Sequence, residues 1–412
     1  MGNRVVITGV GVITPIGNNK QEFWQSLISG YSGIGRITKF DVSQYAAQIA
    51  GEVKDFDPSG LINSKELRKM DGFVQYAVVA AKQAVEDAGI DFDKIEPERI
   101  GCVMGSGIGG LMTIEKQHTI LLERGPKRIS PFLIPMLIVN MAPGQIAINY
   151  NLKGPNFAIV TACASSNHAI GEAFRLIQAG RADIMLAGGT ENCICPLGVG
   201  GFCSAKALST RNDDPRHASR PFDKERDGFV MAEGAGILVL ESFDLAKKRG
   251  APIIAELVGY GATCDAYHMT APDPEAKGAI ASMEAALTDA GINYDEVDYI
   301  NAHGTSTSLN DKVETMAIKA VFKDSSRKLA VSSIKSMTGH MLGAAGAVEA
   351  IATAISLKEG VILPTINYQY PDPDCDLDYV PNKVRKKDIN VAISNGLGFG
   401  GHNATIALKK FS

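Results

Sequence analysis

The segment Ala84-Val-Glu-Asp-Ala-Gly-Ile-Asp91 returns in the second half of the chain as Ala286-Leu-Thr-Asp-Ala-Gly-Ile-Asn293. Each copy reads as a helix end with its terminating glycine, the residue that enters the left-handed conformation without strain. The chain downstream of each copy repeats as well. Each copy leads to a short apolar strand and a loop: Ile100-Gly-Cys-Val-Met104 before Gly105–Gly110, and Val297-Asp-Tyr-Ile-Asn301 before Ala302–Ser306. A strand feeding a helix comes next, Phe157 to Gly180 in one copy and Leu329 to Gly360 in the other. Two apolar strands then close each half, Asp183–Gly188 with Gly236–Glu241, and Asn390–Ser394 with Ala404–Lys409. Such a repeat folds as two copies of one α/β unit packed together. We therefore expect two pseudo-symmetric halves, residues 1–250 and 251–412, with central mixed, largely parallel sheets and layered helices. Insertions at about residues 18–75 and 111–140 lengthen the first half, and such loops often carry specificity or partner contacts.

Composition narrows the reading further. Hydrophobic residues make up 45% of the 412 residues and charged residues 21%, a soluble globular balance with ample length for a buried core. The net charge of −4 gives no overall basic excess for nucleic acid. No window approaches eighteen uninterrupted apolar residues, so no membrane span is expected, and the start of the chain lacks the features of a secretory signal. Seven scattered cysteines do not make a disulfide framework, which points to a reducing compartment such as the cytoplasm. Cys193 and Cys195 form a C-x-C with no second pair or nearby histidine, so they read as packing residues rather than a zinc site.

Chemistry first enters at Cys163. The apolar run Phe157-Ala-Ile-Val-Thr161 gives way to the small residues Ala162-Cys163-Ala-Ser-Ser166 and then to a helical pattern from His168 to Gly180. A thiol on such a strand-to-helix turn faces the unpaired N–H groups of a helix start, which lower its pKa and can hold an oxyanion. On this turn alone, packing is as good a reading as function, because free cysteines are commonly buried. Two glycine clusters, Gly105–Gly110 and Gly396–Gly401, match the dinucleotide pattern GxGxxG. Neither continues with the helix, second strand and acidic residue that a nicotinamide site needs. Symmetry brings the loops after equivalent strands to one site, and those loops carry Cys163, His303, Lys335 and His340, the last opening the glycine- and alanine-rich helix Gly339–Gly346.

Six segments carry a resemblance that spans essentially the whole chain: Thr161–Ser166, Arg220–Val230, Asp265–Thr270, Asn301–Thr307, Lys335–His340 and Gly398–Gly401. Together they resemble the β-ketoacyl-[acyl-carrier-protein] synthases of the thiolase superfamily. Gly396-Leu397 and Met231-Ala-Glu233 depart from the family's usual residues without removing a reacting group. The resemblance implies a thiolase-like fold and a homodimer that condenses acyl and malonyl thioesters carried by acyl carrier protein. Cys163 takes the acyl chain, His303 and His340 donate hydrogen bonds to the enolate left by malonyl decarboxylation, and the N–H groups of Cys163 and Phe399 hold the oxyanion. Lys335 pairs with Glu314 and orders the histidines. Thr270, Thr305 and Thr307 contact the pantetheine arm, Phe399 gates the acyl channel, and Ile108 lines its deep end. No resident cofactor is implied, since phosphopantetheine arrives on the carrier. The resemblance also implies a structural cation at Asn301, Ala302, Glu349, Ser394 and Asn395.

The implied carrier is acidic, which gives meaning to Lys65, Arg68 and Lys69, placed by helical spacing on about one face, with Lys127, Arg128 and Lys206 extending the patch. Three relatives fit less well. A degradative thiolase needs a second cysteine in the loop Asn395–Gly401, an initiating synthase has asparagine in place of His340, and a silent chain-length subunit usually lacks the nucleophile. A polyketide ketosynthase with an intact site shares these motifs and stays open.

Overall fold

Ten strands join in one mixed sheet in the computed structural model, which describes residues 2–411. They are β1 (Val5–Ile13), β2 (Ile100–Gly105), β3 (Asn156–Ile159), β4 (Ile184–Glu191), β5 (Gly234–Ser242), β6 (Ala255–Cys264), β7 (Tyr299–Asn301), β8 (Ala330–Ser332), β9 (Val391–Gly398) and β10 (His402–Lys409). β1, β2, β4 and β5 are buried at every position, as expected for apolar strands covered on both faces.

The strand order is β8-β7-β9-β10-β6-β1-β5-β4-β2-β3. β1 and β6 meet antiparallel at the centre through Val5↔Leu257, Val6↔Glu256 and Ile7↔Ala255. Read outward from this join, β1-β5-β4-β2-β3 is matched strand for strand by β6-β10-β9-β7-β8. The sequence repeat is thus a repeat of topology, and the two expected sheets are continuous through the central pair. The expectation of largely parallel pairing needs correction. Only β2 with β3 and β4, and β7 with β8 and β9, are parallel. The strands that close each half return antiparallel. In the second half a loop as short as Phe399-Gly-Gly401 between β9 and β10 cannot hold the crossover a parallel return needs, whereas β4 and β5 are joined by a long segment.

Helices α1 (Gly72–Ala88) and α3 (Lys277–Ala290) are the repeated segment; they end at Gly89 and Gly291, both left-handed with φ of 60° and 64°. α1 packs on β1 and β5, α3 on β6 and β10. Helices α2 (Ser165–Gln178) and α4 (Ala345–Glu359) pack on each other, and α4 touches β5 of the first half as well as β9 of the second. Every residue of α4 from Ala345 to Leu357 is buried. The contact is close: a Cβ on Gly346 would fall 1.6 Å from Asn167 Oδ1. One hydrophobic cluster, including Ile7, Ile170, Leu238, Leu257, Ile351 and Ile406, therefore runs through both halves.

Candidate active site

α2 and α4 start at corresponding places, and their starts carry the reacting groups. Each is preceded by a tight 3-10 turn, Ala162–Ala164 and Leu342–Ala344. Each turn opens on a non-glycine residue with positive φ, Ala162 at 51° and Leu342 at 46°. That conformation costs about 1–2 kcal/mol in an L-residue and recurs here in both halves. It puts Cys163 and its counterpart Gly343 at the seam. α2 begins at Ser165, earlier than the helical pattern from His168 suggests. His340 does not open α4; its backbone bridges to Met231, and the 3-10 turn separates it from the helix.

His340 Nε2 lies 3.0 Å from Cys163 Sγ. The rings of His303 and His340 stand edge to face with centroids 5.4 Å apart, and one donor atom from each of Cys163, His303 and His340 lies within 4.8 Å of the others. The Phe229 ring packs against His340 at 5.3 Å. The Phe399 backbone N–H donates to the Cys163 sulfur, and a Cβ on Gly398 would sit 3.3 Å from the Cys163 nitrogen, so the glycine loop lies directly on the nucleophile turn.

The electrostatics correct one expectation. The Cys163 thiol is not acidified; burial pushes it up to about 12, against the opposing pull of Lys335. The helix start gives up to about 2 kcal/mol, less than the cost of placing a thiolate in this apolar wall beside Glu191 and Glu349. Both imidazoles are held well below their ordinary pKa, first by burial and then by Lys335, with His340 adding to the effect on His303. They are neutral, and each carries one N–H.

Lys335 is buried and does not pair with Glu314. Its ammonium is held by Glu349 and donates to the His303 carbonyl oxygen at 2.6 Å. Glu314 instead accepts the N–H groups of His303 and Gly304, both at 2.8 Å, and the Asn395 amide at 3.2 Å. The His303 backbone is therefore clamped from both sides, its N–H by Glu314 and its carbonyl by Lys335. The pairing differs from the expectation because Glu314 is filled by backbone donors, which leaves Glu349 facing the ammonium. Burial raises both carboxyls, Glu349 to about 7.

The three groups form part of the wall of a cavity of about 470 Å³, which Ile108, Thr270, Thr305, Thr307, Phe399 and Lys206 also line. Ile108 packs with Leu111, Phe202, Phe229 and Leu342 in one cluster that includes Cys163. Thr305 and Thr307 share a 2.9 Å hydrogen bond between their hydroxyls. Thr270 is exposed, on a loop latched to the glycine loop by Asp265 N–H to Gly401 O at 2.8 Å and Gly400 N–H to Met269 O at 2.8 Å. Of the cation residues, Asn301 Oδ1, Glu349 Oε2 and Ser394 Oγ are buried oxygens without a partner. The Asn395 side chain is already committed to Glu314 and Thr405.

The basic patch is only partly as expected. The helix Ser64–Leu67 is a single turn, and Lys69 pairs with Glu66 at 2.7 Å and lies over the Phe132 ring. Lys65, Arg68, Lys127, Arg128 and Lys206 are exposed.

Glu191 was not among the expected site residues. Buried at the end of β4, it accepts Gly107 N–H at 2.7 Å, Ile108 N–H at 3.2 Å, the Ser106 hydroxyl at 3.1 Å and Gly343 N–H at 3.0 Å. A helix, Leu111–Arg124, does come after the first glycine cluster, but this carboxylate occupies the amides a phosphate would need. The signal in the sequence is the single acid ending the run Ile184-Met-Leu-Ala-Gly-Gly-Thr-Glu191. The Arg220–Val230 segment braces the His303 loop: Arg220 N–H donates to the Ser306 hydroxyl at 2.9 Å, and Arg226 Nε donates to Thr307 O at 3.1 Å.

Comparison with known proteins agrees with this geometry. Residues 2–246 match the family model for the β-ketoacyl synthase N-terminal domain, and residues 254–369 that for its C-terminal domain. A 3-oxoacyl-[acyl-carrier-protein] synthase 2 from Synechocystis sp. is 55% identical over 99% of this chain and 98% of its own. The ishigamide ketosynthase/chain length factor superposes with a TM-score of 0.94 at 38% identity, each chain covered in full. A ketosynthase bound to the hexaketide, solved with its type II PKS acyl-carrier protein, gives 0.91 at 36% identity, again over both full chains. The chain belongs to the β-ketoacyl synthase family.

Proposed function

We propose that the protein elongates fatty acyl chains by decarboxylative Claisen condensation between an acyl thioester held on Cys163 and malonyl-acyl carrier protein. The observation that carries this reading is the convergence of one thiol and two neutral imidazoles within 4.8 Å in the wall of a largely apolar cavity. In loading, the thiol sulfur attacks the incoming thioester. The thiol proton passes by way of His340 Nε2 to the departing pantetheine sulfur, and the oxyanion is met by the N–H groups of Cys163 and Phe399. In condensation His340 takes the tautomer with its proton on Nε2, and the N–H of each imidazole donates to the oxygen of the enolate formed as malonyl loses carbon dioxide. The enolate carbon then attacks the acyl-Cys163 carbonyl, the C–S bond breaks, and the departing Cys163 thiolate takes up one proton from water to return to the thiol. Thr305 and Thr307 hold the pantetheine arm with Thr270, Phe399 moves to admit the chain, and Ile108 limits its depth.

Lys335, Glu314 and Glu349 act through His303 rather than on substrate. The orphan oxygens of Asn301, Glu349 and Ser394 suit a hard cation, which would balance buried charge and take no part in the reaction. Carrier protein docks on Lys65, Arg68, Lys127, Arg128 and Lys206. No resident cofactor is needed. The enzyme works as a homodimer in the cytoplasm, the compartment that seven free cysteines favour; among the described residues no helix is long and apolar enough to cross a membrane. Fatty acid rather than polyketide substrates are favoured by 55% identity to the synthase 2 relative against 36–38% to the polyketide and ishigamide ketosynthases. Intact-mass detection of acyl adducts with carriers of graded chain length tests this. Adducts from saturated acyl carriers, absent in Cys163→Ala, are expected; adducts only from polyketide precursors would overturn it.

A further inference from the structure

The arrangement that suits thioester chemistry also has the composition of a metal-ligand set. Cys163, His303 and His340 each offer one donor atom within 4.8 Å of the other two, and His340 Nε2 is already 3.0 Å from the sulfur. In a tetrahedral zinc site, with Zn–S of about 2.3 Å and Zn–N of about 2.0–2.1 Å, donors lie roughly 3.3–3.8 Å apart. The triad needs adjustments of up to about 1.5 Å to reach the sulfur–nitrogen and nitrogen–nitrogen spacings of such a site. Both Nδ1 atoms are buried without partners, so no hydrogen bond from Nδ1 resists a small turn of either ring.

Burial and Lys335 disfavour protonation of the imidazoles, so the ion is held by its bonds to sulfur and nitrogen, with the thiolate offsetting one unit of its charge. Three buried carboxyls lie close by: Glu191 and Glu349 within reach of the Cys163 thiol, and Glu314 on the His303 N–H. The fourth position opens on the cavity, where water or an incoming thiol can complete the shell. Three protein ligands with one open position is the pattern of a reactive rather than a structural zinc site. Soft sulfur and imidazole donors select Zn²⁺ or Cd²⁺ and set this site apart from the oxygen-lined one at Asn301, Glu349 and Ser394.

We propose that Cys163, His303 and His340 together chelate a thiophilic divalent cation, Zn²⁺ or Cd²⁺, reversibly and in competition with acyl loading. The step is an exchange: the metal–sulfur bond forms as the S–H bond breaks, the proton leaves to solvent, and each imidazole gives a lone pair without losing a proton. While the ion is bound, the thiol cannot attack and the imidazoles cannot donate, so the enzyme is silent until a chelator removes it.

The test is a titration of the full-length enzyme with Cd²⁺ alone, monitored by the ultraviolet band of the cadmium–thiolate bond. We expect one ion per chain with that band, displacement by Zn²⁺, and full reversal by EDTA. Cys163→Ser should abolish the band, and His303→Ala and His340→Ala should each weaken binding at least tenfold. Wild-type enzyme acylated on Cys163 should not bind, an arm that needs no variant to fold. A band that persists unchanged in Cys163→Ser would place the ion on another cysteine, such as exposed Cys264, and overturn the proposal. Unchanged affinity in both histidine variants would reduce it to a lone thiol and overturn it equally. None of these readouts uses condensation, so failure here leaves the proposed reaction standing.

Discussion

Cys163 is held as a thiol, and this sets how its reactivity should vary with pH. With the group pushed up to about 12, the thiolate fraction rises about tenfold per pH unit throughout the neutral range. Alkylation of Cys163 by iodoacetamide, read by mass, should therefore climb log-linearly from pH 6 to 9, where an acidified thiol would level off. No inflection near pH 6.5 is expected, because both imidazoles stay neutral well below that value. A plateau would show that the helix start outweighs burial. The same neutrality separates the two histidines. His303→Ala should cut malonyl decarboxylation by about 10²–10³, the usual cost of one oxyanion donor, and leave acyl loading nearly intact. His340→Ala should slow both steps, since its Nε2 also touches the sulfur. Equal loading losses in the two variants would point to a shared role in thiol activation instead.

At the scale of elements, the loops that meet at the seam are held by carboxylates. Glu191 ties the Gly107-Ile108 loop of the first half to Gly343, the start of α4's turn. Glu191→Gln places an amide NH₂ against backbone N–H groups, and each buried group left unpaired costs about 1–3 kcal/mol. The Ile108 wall should then loosen, shifting the acyl chain-length profile in mass-detected loading while short-chain loading changes little; an unaltered profile would make Glu191 purely structural. Such ties show where sequence reading stops. The nucleophile turn, the two histidine loops and the duplicated topology were legible because local spacing and the repeat encode them. The partner of Lys335 was not, because Glu314 and Glu349 are both acids on buried helix faces, and only the fold shows that His303 and Gly304 fill the first. The length of a helix was equally hidden: Ser64-Lys-Glu-Leu-Arg-Lys-Met70 has helical spacing, yet the helix stops at Leu67 and Lys69 folds back onto Glu66. The exposed pair remains a fair probe of docking. Lys65→Glu with Arg68→Glu should raise the KM for acyl carrier and flatten its salt dependence, with turnover of a free pantetheine thioester near wild type. Equal losses on both substrates would remove the docking surface.

At the scale of the molecule, the sheet ends on an open edge. β3 pairs only with β2, so one side of Asn156–Ile159 presents unpaired backbone groups. Large exposed apolar side chains accompany it: Phe157 on the strand, Val160 just after it, and Ile148 on the helix Met141–Tyr150 that packs on β3. A patch of this kind calls for a partner. The strand can pair antiparallel with its own copy across a two-fold axis, which closes the edge and buries the same side chains from both chains. Burying one such side chain contributes roughly 1.5–3 kcal/mol, and association itself costs about 4–15 kcal/mol, so most of these side chains from each chain must be covered to hold a dimer at micromolar concentration. Under the proposed homodimer, Phe157→Asp with Val160→Asp should give a monomer in size-exclusion chromatography with light scattering, with little change in far-ultraviolet circular dichroism. Activity should fall with it, because Val160 lies between β3 and the nucleophile turn, three residues before Cys163, and a freed edge no longer fixes the strand that leads into that turn. A wild-type monomer at micromolar concentration, or a double variant that stays dimeric, would place the interface elsewhere.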